Sequence, residues 1–546
     1  MKTKQTASMD PETHTLHSCH IFLFPFEWTP PRSDSNTLLE KQTDLRPIRA
    51  GMAAEPGAWE LRTPWTAPAS LAQYNEANYF YDFVRPVLYG DPNGRFQLHY
   101  RRLQARGSEY VIYPSNGGPY RLEVDDIGLS FYNTGVGVLS IHCYNRSHPD
   151  PEDILRINQY GRRLYPPFLG TDPALTGEQR FFEDTDWAAG LDRAQNTELA
   201  QALVLEKAGV PWITEDFSRW RQKPRLDGLP GLLEQLLPQR LSARIQFTPV
   251  LDDRMFVLCW YGNDDLANST ETRRYAHASP DRDWWYKFIF VDTATKTCQD
   301  ERMTRRLLRD HTNLRWGNYG TLYGVSRYSF VCLTPTLPAL LRNNAAFVVS
   351  HVQTVYFKLA ELALVQRACV LRFSDEVTAI GNLEPGDRRL SARAASLSKQ
   401  FIRFINKIYF REVTAQEQGI ELYDLLQTHM RNESQVKDLD REIQELHQYV
   451  SAQEEDRRNE KLDLLTYIGA FFVVPSFVCT YLSINDFDFK ANYPSVAALC
   501  VLAALSFFGI VRMRGALRWL CVLAAAGLVL YTLFAYPEGR IAINTN

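Results

Sequence analysis

Leu464-Leu465-Thr466-Tyr467-Ile468-Gly469-Ala470-Phe471-Phe472-Val473-Val474-Pro475-Ser476-Phe477-Val478-Cys479-Thr480-Tyr481-Leu482-Ser483-Ile484 decides the architecture: it is about 21 residues long and carries no charge. An uncharged apolar run of 18 or more residues is long enough to cross about 30 Å of hydrocarbon as a helix. Two more runs follow, over 493–511 and 516–536, the last with only Arg518 near its start. The expected order is a first membrane helix over 462–484, an outer loop over 485–492, a second helix over 493–511 and a third over 516–536.

Positive charge predicts the orientation. Arg457, Arg458 and Lys461 precede the first run, and Arg512, Arg514 and Arg518 lie between the second and third. The loop between the first two holds Asp486, Asp488 and a single Lys490. Both basic clusters are therefore expected in the cytoplasm, with the N-terminal mass inside. No signal peptide is visible: Ile21-Phe22-Leu23-Phe24-Pro25-Phe26 is short and contains Pro, and it reads as a buried strand. The predicted location is the cell's inner (plasma) membrane, multi-pass, with a large cytoplasmic N-terminal domain.

Working towards the N-terminus, Val436, Leu439, Ile443, Leu446 and Val450 alternate spacings of 3 and 4, a short heptad seam. Two outcomes are open for it: packing on neighbouring helices, or self-association in an oligomer. No breaker separates this seam from the apolar run, so one helix of about 75 Å is expected from near Ser434 to Ile484. Before it, residues 338–373 show helical spacing but are too polar to span a bilayer. Gly381, Pro385 and Gly386 end that helix, and another is expected from Leu390 through Met430. Residues 338–461 thus read as a helical stalk.

Residues 1–337 read as a cytosolic α/β or α+β domain. Strands are expected at 96–103, 109–113, 120–124, 127–132, 136–144, 243–247, 255–261 and 285–292, separated by turn signals. A helix is expected over 71–88. Asp150-Pro151-Glu152-Asp153 is a helix start, with an Asp cap, Pro at the first position and acids in the first turn. Residues 29–69 read as irregular, and 165–240 as a polar, partly helical insertion.

Composition excludes several classes. The chain has 546 residues, 60 basic and 63 acidic, for a formal charge of −3. A polyanion binder shows a basic excess, so no direct nucleic-acid partner is expected. Its nine cysteines are scattered without a C-x-x-C, which fits neither a disulfide framework nor a zinc ribbon. No P-loop, dinucleotide fingerprint, H-E-x-x-H or nucleophile elbow is present, and no enzymatic activity is expected. His17-Ser18-Cys19-His20 offers metal-ligand residue types without a second cluster. Asp252-Asp253 and Asp264-Asp265 read as turns, the alternative being cation sensing between subunits.

A cytosolic α/β domain, long helices, a stalk helix entering the membrane, an acidic outer loop and a second span resemble the CorA family of magnesium channels. Leu465 to Phe472, Pro475 and the segment Tyr481 to Asn485 carry the local likeness, over roughly residues 338–511. Family members close this span with Tyr-Gly-Met-Asn; here Leu482-Ser483-Ile484-Asn485 stands in its place, with Tyr481 one position early and only Asn485 kept. The resemblance implies a homo-oligomer, a pentamer, that transports Mg2+ or another divalent cation, or is regulated by it. Its pore mouth would comprise Ser483, Ile484, Asn485, Asp486 and Asp488. Magnesium gives up water reluctantly, so a ring of Asn amides suits the hydrated ion. Rings of acid concentrate cations.

The stretch Arg315-Trp316-Gly317-Asn318-Tyr319-Gly320-Thr321-Leu322-Tyr323-Gly324-Val325-Ser326-Arg327-Tyr328 combines close-approach glycines, stacking faces and planar cations. Arg315, Trp316, Asn318, Tyr319, Tyr323 and Arg327 are candidates for a nucleotide-like ligand; a Gly-turned hairpin with packed aromatics is the structural alternative. Some divergent CorA-like proteins with enlarged cytosolic domains accompany type III CRISPR systems. That resemblance implies an antiviral membrane effector gated by a nucleotide-derived second messenger. A membrane-anchored scaffold without a pore is a third expectation.

Overall fold

The run Ser18-Cys19-His20-Ile21-Phe22-Leu23-Phe24-Pro25-Phe26-Glu27-Trp28-Thr29 forms strand β1, buried along almost its whole length and central to one sheet. A proline in a central strand requires an explanation, because it donates nothing to the ladder. The Trp28 N–H bonds the Gly135 carbonyl at 2.9 Å, so even-numbered residues of β1 turn their backbone groups to strand β6 (Val136–Asn145). Odd-numbered residues, Pro25 among them, face the opposite edge. There strand β10 (Phe256–Gly262) pairs up to Leu23 and strand β9 (Gln246–Pro249) begins at Phe26. Pro25 sits in the gap between them, where no donor is needed.

The computed structural model describes residues 15–29, 44–54, 57–62, 70–90, 96–115, 117–165, 200–217, 229–251, 254–268, 280–293, 296–384 and 387–484, with 68, 94 and 501 besides. Contacts divide the chain into two units, Met1–Leu383 with Arg388–His447, and Glu384–Asp387 with Gln448–Asn546.

The first unit is mixed α/β, built on a large, mostly antiparallel sheet. Its remaining strands are β2 (Trp59–Leu61), β3 (Gln97–Arg102), β4 (Ser108–Pro114), β5 (Tyr120–Tyr132), β7 (Ala200–Lys207), β8 (Val210–Asp216), β11 (Thr312–Asn313), β12 (Leu322–Val325) and β13 (Ser329–Thr334). The order is β11-β12-β13-β10-β1-β6-β5-β4-β7-β8, with β3 on β5, β2 on β3 and β9 on β1. Only β10 and β13 pair in parallel among the described strands. The helices are α1 (Arg46–Ala53), α2 (Leu71–Asn78), α3 (Arg85–Tyr89), α4 (Pro151–Gly161), α5 (Gly231–Leu236), α6 (Gln239–Ser242), α7 (Asp264–Asn268), α8 (Pro280–Phe290) and α9 (Glu301–His311). They continue as α10 (Leu337–Arg342), α11 (Phe347–Gln353), α12 (Val355–Gly381), α13 (Arg388–Lys407), α14 (Glu417–Met430) and α15 (Asn432–Ile484).

Several local expectations hold. Asp150 caps α4 by accepting from the Glu152 N–H at 2.8 Å, with Pro151 at the first position. The strands expected at 120–124 and 127–132 are one strand, β5, with a register shift between Val124 and Asp126.

Others are corrected. The strand expected over 285–292 is helix α8. Its apolar run is too short for periodicity to separate helix from strand. In the fold, Trp284 and Phe288 stack one turn apart with ring centroids at 4.8 Å. The helix expected over 71–88 breaks into α2 and α3: Pro86 cannot continue a helix and sits in the first turn of α3, and Arg85 Nε donates to the Ala77 and Phe80 carbonyls at the break. Residues 29–69 contain α1 and β2. The insertion at 165–240 contributes β7 and β8 to the sheet, and the strand expected at 243–247 lies over Gln246–Pro249. The helix expected over 390–430 is two, α13 and α14. No Gly or Pro marks that break; instead Gln366 donates to the Ile408 carbonyl at 2.8 Å and Tyr423 to the Phe410 carbonyl at 2.8 Å.

Helix α12 packs on β1 and β6. Contrary to the expectation for 338–373, the stretch Phe347–Gly381 among the described residues is apolar and long enough to cross a membrane, yet 78% of its apolar part is buried in the protein, which makes it a core helix. Residues 338–383 and 388–447 fall in the first unit, with the sheet.

Candidate functional site

Four regions carry unusual chemistry. The first is the turn leading into β12. Trp316 precedes and Tyr319 closes a short 3-10 turn, Gly317–Tyr319, which is capped by Gly320 with a φ of 72°, a conformation glycine takes freely. Their rings lie 5.9 Å apart and both are exposed, Tyr319 at 71%. Asn318 is exposed beside them. Arg315 donates from Nε to Glu421 on α14 at 3.0 Å, and its Nη2 bonds the other oxygen of the same carboxylate. Asn313 donates to Glu421 at 2.8 Å. The Arg315 guanidinium holds the Glu421 carboxyl below its ordinary range.

The structure thus gathers Arg315, Trp316, Asn318 and Tyr319 on one surface turn. Tyr323 is elsewhere: it is fully buried in β12, packed against Phe330 and Tyr356, and offers no open face. Arg327 sits at the β12–β13 hairpin turn, partly buried, where its carbonyl accepts from Arg367 at 3.1 Å. The hairpin with packed aromatics is therefore present, and the exposed turn is its leading end.

The second region is a polar chain inside the sheet–helix interface. The motif His17-Ser18-Cys19-His20 does not converge on a metal. His20 Nδ1 donates to Asn158 Oδ1 at 2.8 Å, which leaves Nε2 to accept from the Ser18 hydroxyl at 2.8 Å. Asn145 donates to that hydroxyl at 2.9 Å. Burial, only partly opposed by Asn158, pushes His20 down to about 4. Among the described residues, no group of three His, Cys, Asp or Glu could hold a metal ion.

Third is a buried ion pair on α12. Lys358 donates to Glu361 at 2.7 Å, three residues on, and both side chains are shut from solvent. Ser130 donates to the other Glu361 oxygen at 2.9 Å and bonds His99 Nδ1 at 2.8 Å. Burial pushes the Glu361 carboxyl up, but the Lys358 charge, with hydrogen bonds from Lys358 and Ser130, outweighs it and holds it below its ordinary range. Burial and the Lys358 charge push His99 down to about 3. The only sequence signal for this pair was Lys-x-x-Glu inside an apolar helix.

The fourth is an open cleft of about 560 Å³ lined by Phe83, Ile405, Tyr409, Phe410, Arg411, Glu412, Val436, Lys437 and Asp440.

Of the pore-mouth residues, Ser483 and Ile484 close helix α15, while Asn485, Asp486 and Asp488 lie outside the described residues. So do the runs expected at 493–511 and 516–536, Val501 apart, and Asp252-Asp253. Asp264 is accounted for: it opens α7 and accepts from the Thr336 N–H at 2.8 Å.

Comparisons with family models, curated proteins and solved structures find no match to this chain.

Proposed function

We propose that the chain is a CorA-like oligomeric membrane channel for divalent cations, gated by its cytosolic domain. One observation carries the reading. Helix α15 runs unbroken for 53 residues from Asn432 to Ile484. At its start it is amphipathic: Val436, Leu439 and Ile443 are buried and charged residues alternate with them. Further on its apolar residues turn outward, with Leu462, Leu464 and Leu465 at 49–64% exposure. Exposed leucines on a continuous helix call for lipid or neighbouring helices as their surroundings. On this reading, gating runs along this continuous helix to the pore. Mg2+ as cargo, an inner-membrane location and a pentamer follow from the family resemblance.

The exposed Trp316 and Tyr319 favour a nucleotide-like gating ligand over cation sensing, and with it the reading as a CRISPR-associated effector. The test is mass measurement of the full chain in mild detergent. A ring larger than a dimer supports the channel; a monomer removes it.

A further inference from the structure

Helix α9 carries Arg302, Arg305, Arg306 and Arg309 at i, i+3, i+4 and i+7, all exposed on one face. Thr304 and Leu308 on the opposite side are buried. The acids at the start of the helix are already committed. Asp300 caps it by accepting from the Met303 N–H at 2.7 Å, and Glu301 pairs with Arg282 at 2.7 Å and Lys296 at 2.8 Å. Arg309 pairs with the adjacent Asp310 at 3.1 Å. Arg302, Arg305 and Arg306 make no ion pair among the described residues. Four like charges within about 11 Å of helix repel one another. In a chain of near-balanced charge, such a concentrated cationic face is complementary to an anionic partner.

The complementary surface is on the same chain. Asp438, Glu442 and Glu445 on α15 stand at i, i+4 and i+7, exposed and without ion pairs among the described residues. They point away from the buried seam of Val436, Leu439 and Ile443. Arg441 flanks them and pairs with none of them. The two faces have the same seven-residue span, about 11 Å. Apart from the Arg309–Asp310 pair, neither face finds an ion-pair partner among the described residues.

We propose that the Arg302–Arg309 face of one copy docks on the Asp438–Glu445 face of the next, a head-to-tail contact of the kind that closes into a ring. This rests on the oligomeric reading above and names the surfaces that assemble it.

The experiment measures the mass of the full chain in mild detergent against protein concentration. It compares wild type, Arg302→Glu with Arg306→Glu, Glu442→Arg with Glu445→Arg, and the four changes together. Each charge-reversed pair is expected to weaken assembly about tenfold or more at about 0.1 M salt, and the fourfold variant to regain it. Unchanged melting midpoints verify folding, and wild-type assembly should itself weaken as salt rises. Full assembly of both charge-reversed variants overturns the pairing while leaving the oligomer standing. So does salt-independent assembly, or a fourfold variant that stays dissociated. A monomeric wild type overturns both.

Discussion

Arg315 and Glu421 form a two-point ion pair between the turn before β12 and helix α14, with Nε to carboxylate oxygen at 3.0 Å. The guanidinium that a nucleotide phosphate would use is thus already occupied by a carboxylate. A phosphate-bearing ligand must compete with Glu421. Arg315→Ala is expected to lower adenine nucleotide affinity by roughly 10- to 150-fold, the worth of a charge-assisted contact. Glu421→Ala is expected to raise it by freeing Arg315. Calorimetry on the detergent-solubilised protein checks both; no response to either change returns gating to divalent cations.

Lys358 and Glu361 give a stability prediction. Glu361→Ala leaves an ammonium buried without its counter-charge, which costs about 3–5 kcal/mol. Pairing Lys358→Met with Glu361→Gln should recover much of that loss. Denaturant unfolding reads both, and a loss below about 1 kcal/mol for Glu361→Ala would show that the pair is solvated.

His20 predicts a pH dependence. Its folded value of about 4 lies below the ordinary 6.5, so the unfolded chain takes the proton first as pH falls. The stabilisation is whole above pH 6.5, declines between 6.5 and 4, and is spent below that. For a shift of this size the loss is about 3 kcal/mol. Melting midpoints of His20→Gln should fall less steeply than wild type across that window; equal slopes would contradict the assignment.

How much of this was legible in the sequence depends on how local each signal is. The Asp150 cap, the strands β3 to β6 and the unbroken helix α15 were readable, because caps, alternation and a missing breaker are local. The α8 helix was not, because its aromatic run suits either period. The break between α13 and α14 was hidden because Gln366 and Tyr423, distant in sequence, hold the freed carbonyls. At the candidate site the exposed turn was legible in its Gly and aromatic content. The burial of Tyr323 and the capture of Arg315 by Glu421 were not, since both depend on tertiary partners.

The proposed topology rests on the two basic clusters. A cysteine placed at Lys490 should react with an impermeant reagent from outside intact cells. Reaction only after permeabilisation would reverse the orientation.

The most direct test of the proposed channel is Mg2+ flux into vesicles reconstituted with the purified protein, in wild type and in Asn485→Ala. Wild-type vesicles are expected to admit Mg2+ where protein-free vesicles do not, and Asn485→Ala to alter that flux while the oligomer keeps its mass. Absence of any flux from a correctly assembled oligomer, with or without an adenine nucleotide, would contradict the channel and leave a membrane-anchored scaffold.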